Sequence, residues 1–310
     1  MTEKPMAYFE DIHRLRGVTI LLVVLSHGLQ VTGNTRAGEA VWHATQGQTW
    51  PFVFIAGFLF AHLHRRYDYT RYVQSKLRNV IAPYVVVVSV ILALGVALHP
   101  GQLLGMYYLT GHLAATPLWF VPMIAIFYLA FPIYNWLARQ PRLLFGVAVV
   151  AMAASLFSGR PQWNGPVFDA FLFYQSAYLA GMAWRVWYER GEPLLRAAAP
   201  LLIVLVAAVA AYDPPEEYQL FFVAPLTGLM LLLMKAETRL DPLWNWLAVR
   251  SFGIFFLHGI FTDQMVMHWG REMPVAIALA ACIFVAFLCG AIVSLVQLVV
   301  GERSRYIVGA

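Results

Sequence analysis

Apolar runs of helical length follow one another along the chain, separated by short polar stretches. They cover 15–32, 49–63, 79–98, 117–137, 143–158, 166–187, 194–212, 218–235, 247–266 and 273–300. A helix needs about 20 apolar residues to cross a bilayer core, so these runs predict transmembrane helices. Several are shorter than that, which predicts tilted, paired or partly re-entrant helices. The stretch 101–114 is only moderately apolar and reads as an external loop or an interfacial segment. No internal repeat stands out, and no polar stretch has room for an appended soluble domain. The expected fold is all-α: one polytopic membrane domain of about ten transmembrane helices over 1–310.

Composition supports this reading. Hydrophobic residues make up 61% of the chain and charged residues 12%, against roughly 25% charged in a soluble domain. The net charge of +5 is no sign of nucleic-acid binding, because the cations sit in the short loops between apolar runs. With the N-terminus inside, only Arg36, Arg160 and Arg271 of the 21 Lys and Arg residues fall outside. That bias predicts cytoplasmic N- and C-termini and supports the helix count, since a missing helix would scramble the alternation. The first run holds His27 and lacks a small-residue cleavage site, which reads as a mature helix rather than a leader. Cys282 and Cys289 are seven helical residues apart, too far for a bridge, and read as packing residues. Asp213, Pro214, Pro215, Glu216 and Glu217 form an acidic, helix-breaking external turn. Pro83, Pro122, Pro132 and Pro225 lie within helices, where they serve either ordinary packing or a cavity-opening kink.

Ionisable side chains inside membrane helices are costly and mark functional candidates. Arg16 and His27 are eleven residues apart, three turns plus about 20°, and so share one face of the first helix. Arg16 is placed at the cytoplasmic mouth and His27 about 16 Å deeper. A guanidinium at the mouth can hold a phosphate bidentately, and an imidazole deeper in can accept a proton at neutral pH. That layout suits a phosphorylated cytoplasmic donor that inserts its reactive end into the membrane. The plainer alternative is a snorkelling Arg and a hydrogen-bonded structural His. His258, on a helix that starts inside near Arg250, is expected at similar depth and can meet His27 across a shared cavity, or serve only as a helix–helix hydrogen bond. Asp169 and Asp263 fall near outer helix ends. The basic stretch from His64 to Arg78 suits anionic headgroups or a phosphate-binding rim beside Arg16.

These segments resemble the acyltransferase 3 family of integral membrane acyltransferases. The resemblance rests on Arg16 and His27 in "RLRGVTILLVVLSHG" and on Ala56-Gly57-Phe58 in "TWPFVFIAGFLF". It extends to Lys76, Arg78, Pro83 and Tyr84 in "SKLRNVIAPYVV", Trp119 and Phe120 in "LWFVPMIAIFYLAFP", and His258 in "SFGIFFLHGIF". His13 stands where many members carry an acidic residue, with Glu10 and Asp11 the nearest acids. Ala56 stands where Ser is usual. The resemblance implies transfer of an acyl group, usually acetyl, from cytoplasmic acyl-coenzyme A to a carbohydrate or glycolipid hydroxyl at or beyond the outer face of the bacterial inner membrane.

On that basis Arg16, with Lys76 and Arg78, is expected to hold the donor phosphates, and Trp119 to line the channel. His27 acts as general base on the acceptor hydroxyl, or as nucleophile through an acyl-imidazole. His258 is a candidate contributor to oxyanion stabilisation. No metal is expected, because no His or acidic residues share ligand-like i, i+3 or i, i+4 spacing within a helix. Two other classes remain: a transporter or flippase for a small molecule or lipid-linked sugar, and a non-catalytic membrane scaffold.

Overall fold

The computed structural model describes residues 9–93, 104–111, 118–161, 165–212 and 219–307. All regular structure among them is helical. The predicted turn at 213–217 and parts of the stretch 101–114 lie outside the described residues.

The first half of the chain begins with α1 (Glu10–Gly28), followed by α2 (Arg36–Ala44) and α3 (Thr49–Leu63). α4 (Tyr69–Lys76) continues through a π turn, Leu77–Ile81, into α5 (Ala82–Ala93), and α6 (Leu104–Thr110) follows. Then come α7 (Phe120–Leu129), α8 (Phe131–Ala138) and α9 (Pro141–Ser158). The second half holds α10 (Val167–Tyr212), α11 (Leu220–Leu233), α12 (Asp241–Trp269) and α13 (Val275–Val300). Among the described residues, five helical stretches are long and apolar enough to cross a membrane: Glu10–Thr32, Tyr69–Ala93, Pro141–Ser158, Arg190–Val209 and Val275–Val300. α7 and α8 together would make a sixth; they are bent by 61°. Pro132 in the first turn of α8 accounts for that bend, since it has no N–H to continue the ladder of α7.

The runs 166–187 and 194–212, expected as separate helices, share one hydrogen-bonded helix of 46 residues. At 1.5 Å per residue a straight helix of that length would measure about 69 Å, more than twice a bilayer core. Its contacts show that it turns back. Along the first arm, Trp50 meets Ser176 and His62 meets Arg185, so the arm runs parallel to α3. Glu192 then pairs with Lys235, while Leu195 and Leu202 flank Gly228 on α11. Residues 192–202 therefore climb back along α11, toward the end where Gln219 meets Arg160. Gly191, packed against the Trp184 ring, and Pro193 mark the bend.

Two helix pairs carry the architecture. α1 and α12 run parallel: Arg14 pairs with Asp241, Gly17 abuts the Trp244 carbonyl, and the His27 and His258 rings meet. α13 returns antiparallel, with Cys282 against Gly28 and the Trp246 ring against Gly290. α3 and the first arm of α10 form the other pair. One apolar core surrounds α3 and α10, another surrounds α1, α5, α12 and α13, and α7 lies across the seam. Arg14 ties the start of α1 to the second half of the chain by donating to the Met234 and Ala236 carbonyls. Both cysteines are buried and free.

His64, in the turn after α3, is buried and its Nδ1 donates to Asn135 Oδ1 at 2.8 Å. Burial holds its pKa below the ordinary value; the Asn135 bond opposes this, and Arg65 and Arg139 add to it. The unfolded chain therefore binds the proton more readily. The stabilisation is complete above about pH 6.5 and is lost as pH falls below it. In His64→Gln, the drop in apparent melting temperature between about pH 7.5 and 5.5 should be smaller than in wild type, by about 2 °C. Parallel pH–melting curves in detergent would contradict this assignment.

Candidate functional site

A cavity of about 360 Å³ opens between the two helix pairs. It runs along α3 from Leu63 to Thr49, a rise of roughly 21 Å. Tyr67, exposed in the basic turn, stands at one mouth. Arg16 on α1 and Lys76 at the end of α4 both line this cavity, with Tyr72 and Tyr128 between them. The Lys76 ammonium lies 5.3 Å from the Tyr72 ring centroid and 5.0 Å from that of Tyr128. The two cations share one wall of the cavity. Among the described residues, no carboxylate forms an ion pair with either one. Glu10 is taken by Arg14, and the Tyr188 hydroxyl donates to Asp11 at 2.7 Å, so neither nearby acid stands in for the one absent at His13. Two close, enclosed cations without a counter-ion are costly, and an anionic ligand would relieve both the desolvation and the mutual repulsion.

Deeper in, Val23, Phe52, Phe120 and Phe255 narrow the lining. His27 and His258 stand one helical turn beyond Val23 and Phe255 and are not themselves part of the lining. Their ring centroids are 5.3 Å apart. His258 is fully buried, and its Nδ1 lies 3.1 Å from the Ile254 carbonyl. A carbonyl only accepts, so Nδ1 carries the proton and a neutral ring keeps a bare lone pair on Nε2. That Nε2 is buried without a partner among the described residues. An orphan of this kind costs about 1–3 kcal/mol and calls for an explanation in function. Above the pair, Trp42 Nε1 and Gln46 Nε2 both donate to the Ser26 carbonyl, closing the segment after α2 over the end of α1.

At the far end of the cavity is a polar group from other elements. Arg160, in the turn before α10, donates through Nη1 to Gln219 Oε1 at 3.1 Å. The Tyr174 hydroxyl lies between Thr49 and Arg160, and its ring stacks on Trp119 with centroids 5.9 Å apart.

The sequence-predicted residues therefore separate into groups. Arg16 and Lys76 share one wall, and His27 and His258 share one contact. Arg78 is exposed in the π turn, away from the lining. Trp119 packs beside the far-end polar group rather than among the donor-side cations. Arg250 donates to Ser294 on α13 and lies over Trp246, turned away from the cavity. No group of three or more His, Cys, Asp or Glu side chains that could hold a metal occurs among the described residues. Tyr128, Tyr72, Tyr174 and Arg160 were not singled out from the sequence. For the tyrosines, the only available signal was a polar tip within an apolar run.

The chain was compared with known proteins. A family model described as an acyltransferase domain, that of the acyltransferase 3 family, matches residues 9–295, nearly the whole chain. No curated protein and no solved structure matches it.

Proposed function

Because the chain belongs to the acyltransferase 3 family, we propose that it moves an acyl group, acetyl above all, from cytoplasmic acyl-coenzyme A to a hydroxyl of a carbohydrate or glycolipid at or across a bacterial inner membrane. The observation that carries this reading is the cavity, with two unpaired cations at one end and two facing imidazoles just beyond the other. The topology that goes with it has ten crossings and both termini inside. The end of the bundle holding Arg14, His64, Arg185 and Lys235 then faces the cytoplasm, and the end holding Arg160 and Arg271 faces out.

In this reading the donor's phosphates sit on Arg16 and Lys76, with the exposed Arg78 on the rim. The slender pantetheine arm lies along α3 and carries the thioester toward His27. The acceptor hydroxyl passes its proton to His27, and its oxygen attacks the thioester carbon. The C–S bond breaks, and the departing sulfur takes the proton back from the imidazolium. In the two-step route, His27 itself attacks the thioester carbon, the C–S bond breaks and coenzyme A leaves with the proton from the imidazole. The hydroxyl oxygen then attacks the acyl carbon, the C–N bond breaks, and the hydroxyl proton returns to His27. The bare His258 Nε2 is an acceptor available to the His27 ring once a small rotation brings an N–H to it, and that bond would leave the other His27 nitrogen facing substrate. Trp119 supports the acceptor end of the passage.

Arg16→Ala removes a charge-assisted phosphate contact and should raise the acetyl-coenzyme A concentration needed for half-maximal rate by about 10-fold or more. The limiting rate should change far less. Coenzyme A release by the purified protein, across a donor series, measures both. An unchanged donor requirement would remove Arg16 from the donor site. Failure of the wild type to bind or turn over acyl-coenzyme A, beside an active control enzyme, would instead favour the transporter reading.

A further inference from the structure

The passage has two ends, and the donor accounts for one. The far end holds Arg160, Tyr174, Thr49 and Gln219, drawn from three separate parts of the chain. Thr49 lines the cavity on the same helix as Phe52, so the group borders the passage at the end away from Arg16 and Lys76. Gln219 meets Arg160 through a neutral amide oxygen, and Tyr174 offers only a hydroxyl. Among the described residues, no carboxylate forms an ion pair with Arg160. The groups that hold the guanidinium are, among the described residues, neutral. Gly47 helps to fix this arrangement. Its φ of 79° is in the left-handed region, and a Cβ there would press on the Gln219 side chain. Gln48, next to Thr49, is buried with its Oε1 unpaired, an acceptor available to a hydroxyl. A neutral sugar would need only the amides and hydroxyls. The fixed, partly enclosed guanidinium is matched by an oxyanion.

Building on the acyl-transfer reading above, we propose that Arg160, Tyr174, Thr49 and Gln219 form the acceptor subsite, and that the acceptor carries an oxyanion substituent, a carboxylate or a phosphate, near the hydroxyl that is acylated. Arg160 clamps the substituent, the Tyr174 hydroxyl donates beside it, and the Gln48 carbonyl orients the hydroxyl toward His27.

The test uses the purified full chain and three probes: methyl β-D-glucuronide, the 6-phosphate of methyl β-D-glucopyranoside, and methyl β-D-glucopyranoside itself. Binding is read as the ligand concentration that raises the apparent melting temperature, with no donor present. At least one anionic probe should bind about 10- to 100-fold more tightly than the neutral sugar, and which one it is separates carboxylate from phosphate. Arg160→Ala should bring all three within about twofold of each other, and Arg160→Lys should keep part of the preference. Tyr174→Phe should weaken anion binding with less effect on the neutral sugar. Coenzyme A affinity, measured separately by calorimetry, should stay within about twofold of wild type in all three variants. Equal or absent binding of the three probes by wild type, or a preference that survives Arg160→Ala, would overturn the proposal. Absent coenzyme A binding with an intact anion preference would overturn the donor assignment instead.

Discussion

His27→Ala should lower acyl transfer by roughly 10²- to 10⁴-fold, the range for removal of a general base, and by more if the imidazole is the nucleophile. The variant should still fold. His27 is part-exposed, and its side chain meets the His258 ring without any hydrogen bond recorded to it. Its backbone carbonyl, which accepts from Gln30 Nε2, is unchanged by the substitution. Coenzyme A binding should therefore persist while release from acetyl-coenzyme A vanishes. His258→Gln should be milder, because its amide can still reach a neighbour but presents no matching ring nitrogen. Single-turnover kinetics on both variants separate the routes: trapped acyl-protein in wild type, absent from His27→Ala, marks the two-step path. Wild-type rates in His27→Ala would remove the reaction from this site and leave the scaffold reading standing.

The second large effect is on folding. α3 and α10 approach so closely that a Cβ on Gly57 would strike the Tyr178 carbonyl, and one on Gly181 the Phe54 carbonyl. Both obstacles are backbone, which cannot rotate aside. Gly181→Val must push the helices apart or tilt them, and overpacking of this kind costs about 1–3 kcal/mol and occasionally more. Phe54, Phe58, Tyr178 and Met182 pack in the core there, so their contacts loosen too. Gly181→Val and Gly57→Val should each give markedly less monodisperse protein on size exclusion and a lower melting temperature. Gly146→Ala makes a clean control, because a Cβ there meets open space. Comparable yields for Gly181→Val and Gly146→Ala would contradict the close packing.

The sequence carried much of this arrangement, for reasons that differ between elements. The run 49–63 coincides with α3, Thr49–Leu63, because a polar stretch precedes it and a basic one follows. The run 143–158 begins two residues late, since Pro141 opens α9. Two runs, 166–187 and 194–212, lie in one helical stretch, Val167–Tyr212, because the charges around Arg190 interrupt hydropathy where the chain bends at Gly191 and Pro193 while the residues stay helical. α2 was missed because nine residues with a charged start carry too little apolar signal. Within the site, Arg16 and His27 were visible because eleven-residue spacing is a property of one helix. Arg160 was not, since its role depends on a turn folding back against Gln219 and Tyr174, and the charge count recorded it only as one of three outer cations.

Polar groups inside a membrane protein set a further demand on the cavity described above. Tyrosine hydroxyls, an ammonium and two imidazoles would serve as a relay for protons if water joined them. Val23, Phe52, Phe120 and Phe255 line the cavity between the cations and the histidines. Phe120 and Phe255 meet edge to face, 5.3 Å between centroids, just short of the histidines. Hydrocarbon walls at that point offer water no hydrogen bonds, which disfavours a continuous wire. The apolar lining thus acts as insulation between the two sets of polar groups.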